Sequence, residues 1–223
     1  MWTVLFDIDG TLIRTDGVGM GAMGQAVTEH YGKTEIPEIR VHGCTDRGII
    51  TELFGQLDID LEQDHSDFLS SYCRLLEISL STNGGEVLPG VPQLLETLES
   101  HPNVSLGLLT GNAKRPAEIK LNHFGIGDYF QFGGYGDDFS DRNDVAASAV
   151  AAAGEALGNK FDASKVWVIG DTLNDIRCAR SIGAKVIAVE TGGDTGKILA
   201  KESPDFLFSN LLKVSHWIDS LDS

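Results

Sequence analysis

Two carboxylates close the first apolar segment of the chain. Asp7 and Asp9 directly follow residues 4–6 (VLF) and are followed by Gly10 and Thr11. Alternation along a strand points both side chains to the same face, so the two charges cannot turn away from each other. Either both acids are solvated at a strand end, or a cation lies between them. A cation would relieve the repulsion and keep Asp7 ionised, as a nucleophile requires.

Polar side chains also follow two later apolar segments, 104–109 (VSLGLL) and 166–170 (VWVIG), which are typical of buried strands. These side chains are Thr110, Gly111 and Asn112 after the first segment, and Asp171 and Asp175 after the second. The carboxyl ends of parallel strands meet at one edge of a sheet, where such folds bind ligands. Carboxylates beside hydroxyl and amide donors suit a hard cation together with a phosphate, and Mg²⁺ is the cation we expect.

Strand patterns alternate with helical patterns over most of the chain. This order predicts an α/β fold with a Rossmann-like parallel sheet and helices on both faces. The predicted strands lie at 4–6, 104–110, 129–136, 165–172 and 185–193, and the predicted helices at 91–101, 113–125, 143–158 and 173–183, with a final strand and helix within 204–221.

Residues 15–86 interrupt this alternation. Their apolar residues recur at helical spacing within 22–32, 46–57 and 66–80. We expect a small α-helical domain, 15–86, inserted after the first strand, with 1–14 and 87–223 forming the core. The glycines of 19–24 (GMGAMG) do not directly follow a strand, so we interpret them as a hinge into the insert and not as a dinucleotide site.

The charge balance limits the possible partners. The chain has 17 basic and 33 acidic residues, a formal net charge of -16. A nucleic-acid partner is not expected because it needs a basic surface, and an anionic substrate would need a local cation. Three cysteines without a C-x-x-C pair indicate neither a disulfide framework nor a zinc site. With no basic leader and no apolar run of membrane-spanning length, we expect a cytoplasmic protein without a membrane partner.

Three motifs resemble those of one known family. Residues 7–12 (DIDGTL) are similar to the first motif of the haloacid dehalogenase superfamily, 108–112 (LLTGN) to its second and 170–175 (GDTLND) to its fourth. The insert between the first two motifs resembles the family's helical cap. The order and spacing agree across nearly the whole chain, and the three motifs together are highly specific.

The resemblance implies a role for each matching residue. Asp7 would attack phosphorus and form an aspartyl-phosphate, and Asp9 would protonate the leaving oxygen and then activate water. Mg²⁺ would be held by the carboxylates of Asp7 and Asp171 and the backbone carbonyl of Asp9. The second motif, with Gly111 at its centre, would bind phosphoryl oxygens through Thr110 Oγ and the backbone N–H of Asn112. Asp175 would orient the metal ligands from behind.

One motif departs from the family pattern. The third motif usually supplies a lysine before the fourth, but residues 133–149 contain none. Arg142 is the substitute that we predict, because several anionic groups in one site need a fixed cation. The alternative is that Arg142 only forms surface ion pairs with Asp141 or Asp144. Lys114 and Arg115 are the next candidates for the missing cation.

The resemblance predicts a Mg²⁺-dependent phosphatase that hydrolyses a small phosphorylated metabolite and is similar to phosphoglycolate phosphatases. Family members that cleave carbon–halogen bonds lack the acid that Asp9 provides. A phosphomutase of the β-phosphoglucomutase type shares every core motif and is the main alternative function. A non-catalytic phosphometabolite-binding protein is a weaker alternative. Specificity is expected in residues 42–50 of the insert, where Thr45, Asp46 and Arg47 are predicted to face the site. Neither the particular substrate nor the oligomeric state is predicted.

Overall fold

The computed structural model describes residues 1–60, 65–219 and 221. It contains a six-stranded parallel sheet in the order β5-β4-β1-β6-β7-β8. The strands are β1 (Trp2–Phe6), β4 (Val104–Leu109), β5 (Phe132–Gly134), β6 (Val166–Gly170), β7 (Lys185–Val189) and β8 (Phe206–Phe208). Because β4 and β6 flank β1, the carboxyl ends of these three strands lie side by side.

Successive residues of the central strands face two separate hydrophobic layers, as a parallel sheet with two covered faces requires. Val4 and Phe6 of β1 belong to one layer and Leu5 belongs to the other. The first layer packs on α4 (Val91–Glu99), α5 (Lys114–His123) and α9 (Ser215–Asp219), and the second packs on α6 (Arg142–Leu157), α7 (Leu173–Ser181) and α8 (Gly196–Leu199). The predicted fold class of the core is therefore confirmed.

Three further helices carry a hydrophobic cluster of their own. They are α1 (Val18–Tyr31), α2 (Asp46–Leu57) and α3 (His65–Asn83), and we call them the helical unit. Ile119 and Phe124, in and just after α5, pack against the same cluster and join the unit to the sheet layer. Residues 61–64 of the predicted insert, and 220, 222 and 223 of the predicted core, lie outside the described residues. The domain division at 14/15 and 86/87 stays a prediction.

The structure differs from the sequence interpretation at two places, a short strand pair that was not predicted and a glycine-rich segment that was misinterpreted. Residues 13–14 and 86–87, on either side of the insert, pair as a short antiparallel sheet of β2 (Ile13–Arg14) and β3 (Glu86–Val87). The glycines of 19–24 lie within α1, so the hinge interpretation of this segment is wrong. Ala22, Met23, Ala26 and Val27 are buried at helical spacing, and this tertiary packing overrides the low helix propensity of glycine. No helix in the described part of the chain is long and apolar enough to cross a membrane.

Candidate active site

The predicted site residues meet at the carboxyl edge of the sheet. Asp7 follows β1, Thr110 follows β4 and Asp171 follows β6. The parallel pairing of β1 with both neighbours places these three positions next to one another. Arg142 is the first residue of α6, which follows the next strand in the sheet, β5. The topology thus explains how residues far apart in the sequence share one site.

Asp7, Asp171 and Asp175 form a buried cluster of carboxylates. One oxygen from each lies within 4.8 Å of the others. Burial, and next the charge of Asp175, raise the pKa of Asp171 to about 7. Burial and the same neighbour raise the pKa of Asp7 well above its ordinary value, although Arg142 opposes this shift. Each shift reflects negative charge that is desolvated and only partly compensated, which is the environment that a divalent cation with oxygen ligands stabilises.

The carboxylate of Asp171 is fixed by groups from two loops. Its Oδ1 accepts a hydrogen bond from Thr11 Oγ1 at 3.1 Å, and its Oδ2 accepts one from the backbone N–H of Gly193 at 2.6 Å. Gly10 has a φ of +85°, and a Cβ there would lie 2.5 Å from Asp171 Oδ2. Only glycine therefore allows the backbone after the first motif to approach this carboxylate so closely.

Asp175 is held in place as part of the start of α7. Its Oδ2 accepts hydrogen bonds from the backbone N–H groups of Asp171 and Thr172 and from Thr172 Oγ1. Thr172 Oγ1 in turn accepts from the backbone N–H of Asp175, which completes a capping box. The other oxygen of Asp175, Oδ1, accepts a hydrogen bond from Arg142 Nη2. Both oxygens of Asp175 are thus engaged by protein donors, which include Arg142 and the backbone N–H of Asp171. The supporting role of Asp175 stays a prediction.

Arg142 is buried, with 7% of its surface exposed. Its Nη2 donates to Asp175 Oδ1 and lies 3.4 Å from Asp7 Oδ1. Burial opposes its charge, but Asp175 and Asp7 raise its pKa above the ordinary value. The structure thus places Arg142 against the candidate nucleophile and not in surface pairs with Asp141 or Asp144. Its Nε has no hydrogen-bond partner among the described residues.

Asp9 contacts a lysine that the sequence interpretation missed. Its Oδ2 accepts hydrogen bonds from Lys120 Nζ at 2.6 Å and from Asn112 Nδ2 at 2.8 Å. Lys120 also donates to Asn112 Oδ1 at 2.7 Å and is only 5% exposed. The suggested reserve cations Lys114 and Arg115 are exposed. A signal for Lys120 exists in the sequence, because it shares a helical stripe with the buried residues Pro116, Ala117 and Leu121.

The second motif forms a tight loop beside Asp7. Thr110 is fully buried, and its Oγ1 accepts hydrogen bonds from the backbone N–H and the side-chain amide of Asn112. Gly111 approaches the backbone carbonyl of Cys44 from the helical unit so closely that a Cβ would collide with it. Binding of phosphoryl oxygens by Thr110 Oγ and the Asn112 N–H stays a prediction, since these two groups contact each other in the structure.

A cavity of about 440 Å³ lies between the sheet edge and the helical unit. From the core it is lined by Asp7, Asp9, Gly111, Asn112, Lys120, Arg142 and Asp171 among others, and from the helical unit and its loops by Met20, Met23, His42, Cys44, Asp46, Ile49 and Tyr72 among others. Thr45 and Arg47 are not part of this lining. Thr45 is buried and its Oγ1 accepts the backbone N–H of Gly48 as the cap of α2. Of the three residues predicted to face the site, Asp46 lines the cavity.

Asp46 carries a buried charge that makes stability depend on pH. Burial raises its pKa from 3.8 to about 6, and Lys120 and the backbone N–H of Ala113 limit the shift. Between these two pH values the folded chain binds more protons at Asp46 than the unfolded chain does, so the free energy of unfolding falls as pH rises. Asp46→Asn abolishes the titration and keeps an oxygen for the Ala113 N–H.

We expect Asp46→Asn to be close to wild-type stability near pH 4 and to exceed it by about 3 kcal/mol above pH 6, since the pKa rises by about two units and each unit corresponds to about 1.4 kcal/mol. Urea unfolding of both proteins at several pH values measures the difference. A difference that does not change with pH would show that Asp46 does not titrate in this range.

Comparisons with known proteins agree with this geometry. The family model of haloacid dehalogenase-like hydrolases matches residues 4–189. A curated phosphoglycolate phosphatase of Photorhabdus laumondii is 25% identical over 217 residues, which cover 93% of this chain and 88% of that protein. A crystal structure of a predicted phosphoglycolate phosphatase from Haemophilus somnus has a TM-score of 0.70 at 19% identity and covers 98% of both chains. A candidate β-phosphoglucomutase from Thermotoga maritima has a TM-score of 0.65 at 21% identity and covers 99% of both chains.

The chain therefore belongs to the haloacid dehalogenase-like hydrolase family. The predicted resemblance is confirmed, and within the family the chain is a phosphatase, as its curated relatives are. The two solved structures establish a shared fold and do not distinguish a hydrolase from a mutase.

Proposed function

We propose that the protein hydrolyses a small phosphomonoester through an aspartyl-phosphate on Asp7, with Mg²⁺ as its cofactor. One observation carries this proposal. Asp7 lies with Asp171 in a carboxylate cluster, and the same Asp7 faces the buried guanidinium of Arg142. A carboxylate between a cation site and a fixed arginine is placed to attack a phosphoryl group whose oxygens need both positive charges.

The residues present fit a magnesium ion. The carboxylates of Asp7 and Asp171 would hold it together with the backbone carbonyl of Asp9, because Mg²⁺ prefers oxygen ligands and few carboxylates. The raised pKa values of Asp7 and Asp171 express the repulsion that such an ion relieves. When bound, the ion supplies positive charge to the phosphoryl oxygens.

The side chains can carry out the reaction in two displacements. In the first, an oxygen of Asp7 forms a bond to phosphorus while the ester P–O bond breaks, and Asp9 gives its proton to the leaving oxygen. In the second, water attacks the same phosphorus and gives a proton to Asp9, while the bond between phosphorus and the Asp7 oxygen breaks. This step releases phosphate and restores the carboxylate of Asp7. Asn112 and Lys120 position Asp9 for both transfers. The Nε of Arg142, which has no partner among the described residues, is available to donate a hydrogen bond to a phosphoryl oxygen.

Steady hydrolysis of 4-nitrophenyl phosphate is the direct test. A hydrolase releases phosphate in many turnovers, whereas a phosphomutase returns the phosphoryl group to a sugar and releases phosphate poorly. A non-catalytic binding protein gives no turnover. Continuous release that depends on Asp7 would support the proposal, and its absence would favour one of the other two functions.

We expect activity to require Mg²⁺, to disappear in excess chelator and to be inhibited by Ca²⁺, whose longer bonds and larger coordination number do not fit the same geometry. Asp171→Ala should raise the Mg²⁺ concentration for half-maximal activity by about tenfold or more, because it removes a ligand. Asp128→Ala, at an exposed position, is the control and should leave the metal titration unchanged. Full activity in chelator would contradict the metal proposal, and an unchanged titration for Asp171→Ala would remove Asp171 from the ligands.

A further inference from the structure

The lysine and arginine side chains of the cavity are already engaged by protein groups. Among the described residues these are Arg14, Lys120 and Arg142. Arg14 donates to Glu86 at 2.8 Å and to the carbonyl of Thr191 at 3.0 Å, while Lys120 donates to Asp9 and Asn112. Arg142 contacts Asp175 and Asp7. Arg142 serves the phosphoryl site. Among the described residues, the cavity therefore has no uncommitted lysine or arginine that could bind a second anionic group of the substrate.

One carboxylate oxygen in the same cavity has no protein partner. Asp46 is 7% exposed and lines the cavity. Its Oδ2 accepts the backbone N–H of Ala113 at 2.8 Å, but no donor in the described part of the chain bonds to its Oδ1. An ionised carboxylate oxygen accepts more than one hydrogen bond, so this cavity-facing oxygen is free to accept one from a bound molecule.

The position of Asp46 is fixed relative to the phosphoryl site. Its backbone N–H donates to the carbonyl of Gly111 at 2.7 Å, and the next N–H, of Arg47, donates to the carbonyl of Gly136 at 3.1 Å. These hydrogen bonds anchor the start of α2 to the second-motif loop and to the segment after β5. A substrate whose phosphate lies at Asp7 would therefore meet Asp46 at a defined place.

The rest of the wall on the helical unit is mainly apolar. Met20, Met23 and Ile49 line it, together with Tyr72. Burial, followed by the charge of Asp46, raises the pKa of Tyr72 well above its ordinary value, so its hydroxyl remains a neutral donor and acceptor. His42 also lines the cavity but is exposed to solvent. This wall accommodates carbon atoms and hydroxyl groups more readily than a carboxylate.

We propose that the substrate, on the basis of the phosphatase function proposed above, is a phosphomonoester of an uncharged hydroxylated alcohol of several carbons. A hydroxyl group of the leaving alcohol donates to Asp46, and its carbon chain lies against Met20, Met23 and Ile49. An ester that carries a carboxylate or a second phosphate in that place is disfavoured, because it adds negative charge beside Asp46 while Lys120, the lysine of the cavity, is already bonded to Asp9 and Asn112.

The test compares matched pairs of substrates. Glycerol 3-phosphate and 3-phosphoglycerate differ by one CH₂OH group that is replaced by a carboxylate, and polyol phosphates of up to six carbons can be paired with their carboxylate counterparts in the same way. We expect the neutral ester of at least one pair to have a kcat/KM higher by about tenfold or more, since a buried like charge discriminates strongly. This ratio in the wild-type enzyme decides the proposal without any variant.

Variants assign the discrimination to a residue. Asp46→Asn removes the charge and should lower the neutral-to-anionic ratio by about tenfold. Asp67→Asn is the matched control, since it makes the same change at an exposed position of α3, and it should keep the wild-type ratio. An unchanged ratio in Asp46→Asn would overturn the role of Asp46.

Turnover of 4-nitrophenyl phosphate separates failure of this inference from failure of the phosphatase function. If that ester is hydrolysed and every carboxylate ester matches or exceeds its neutral partner, the proposed substrate class is wrong and the phosphatase function stands. If no phosphomonoester is hydrolysed, both are wrong.

Discussion

Asp7→Asn is expected to abolish turnover while the fold remains intact. The substitution keeps the size and shape of the side chain but replaces the attacking carboxylate oxygen with an amide, which cannot form the acyl phosphate. Loss of a covalent nucleophile typically lowers the rate by several orders of magnitude. We expect kcat to fall by about four orders of magnitude or more. Steady-state hydrolysis of 4-nitrophenyl phosphate with Mg²⁺ measures it.

The stability of this variant should distinguish chemistry from misfolding. Asp7 is buried and its pKa is raised, first by burial and next by Asp175, so its ionised form is unfavourable in the folded chain. A neutral amide removes this penalty, and we expect a melting temperature equal to or above that of the wild type. Retention of even about a tenth of the wild-type rate would contradict the nucleophile assignment, because covalent catalysis does not tolerate that replacement.

The sheet could be predicted from the sequence because its strands are short, apolar and bounded by polar residues. The central strands bury both faces, so their pattern is a continuous hydrophobic run such as 166–170, and the alternation with helices leaves few topologies. The β2–β3 pairing was missed because two residues on each side carry no periodic signal. The glycine-rich start of α1 was misread because packing of Ala22 and Met23, and not intrinsic propensity, makes it helical.

Some residues of the candidate site could likewise be predicted from the sequence, and others could not. Asp7, Thr110 and Asp171 follow directly from topology, since each comes directly after the apolar segment of a predicted parallel strand. Lys120 was not predicted, and Asp46 was predicted only together with Thr45 and Arg47. Both lie on helices, where contact depends on helix rotation and docking that local sequence does not specify. Their positions in buried stripes give a partial signal, because Asp46 shares its stripe with Ile49, Ile50 and Leu53. A charged residue in such a stripe needs a partner or a ligand.

Arg142→Ala is expected to lower kcat by about two or more orders of magnitude. The guanidinium lies between Asp7 and Asp175 and is buried, so its removal leaves these carboxylates facing each other and the phosphoryl group without their fixed cation. Charge-assisted hydrogen bonds of this kind contribute about 1.5–3 kcal/mol each. Surface pairing with Asp141 or Asp144 would instead predict a change within about 0.5 kcal/mol, but the burial of Arg142 already argues against it.

Two further variants separate catalysis from folding. Removing one partner of a buried ion pair can cost about 3–5 kcal/mol of stability, so the rate of Arg142→Ala must be referred to its folded fraction. Arg142→Lys keeps the positive charge and the fold, and it should recover part of the rate, since an ammonium group can approach one phosphoryl oxygen but lacks the forked donors of arginine. Arg177→Ala disrupts an exposed pair with Glu202 and serves as the control, with an unchanged rate expected. Near-wild-type turnover by folded Arg142→Ala would show that the reaction does not depend on this cation. Lys120, which is buried beside Asp9, would then be the next cation to test.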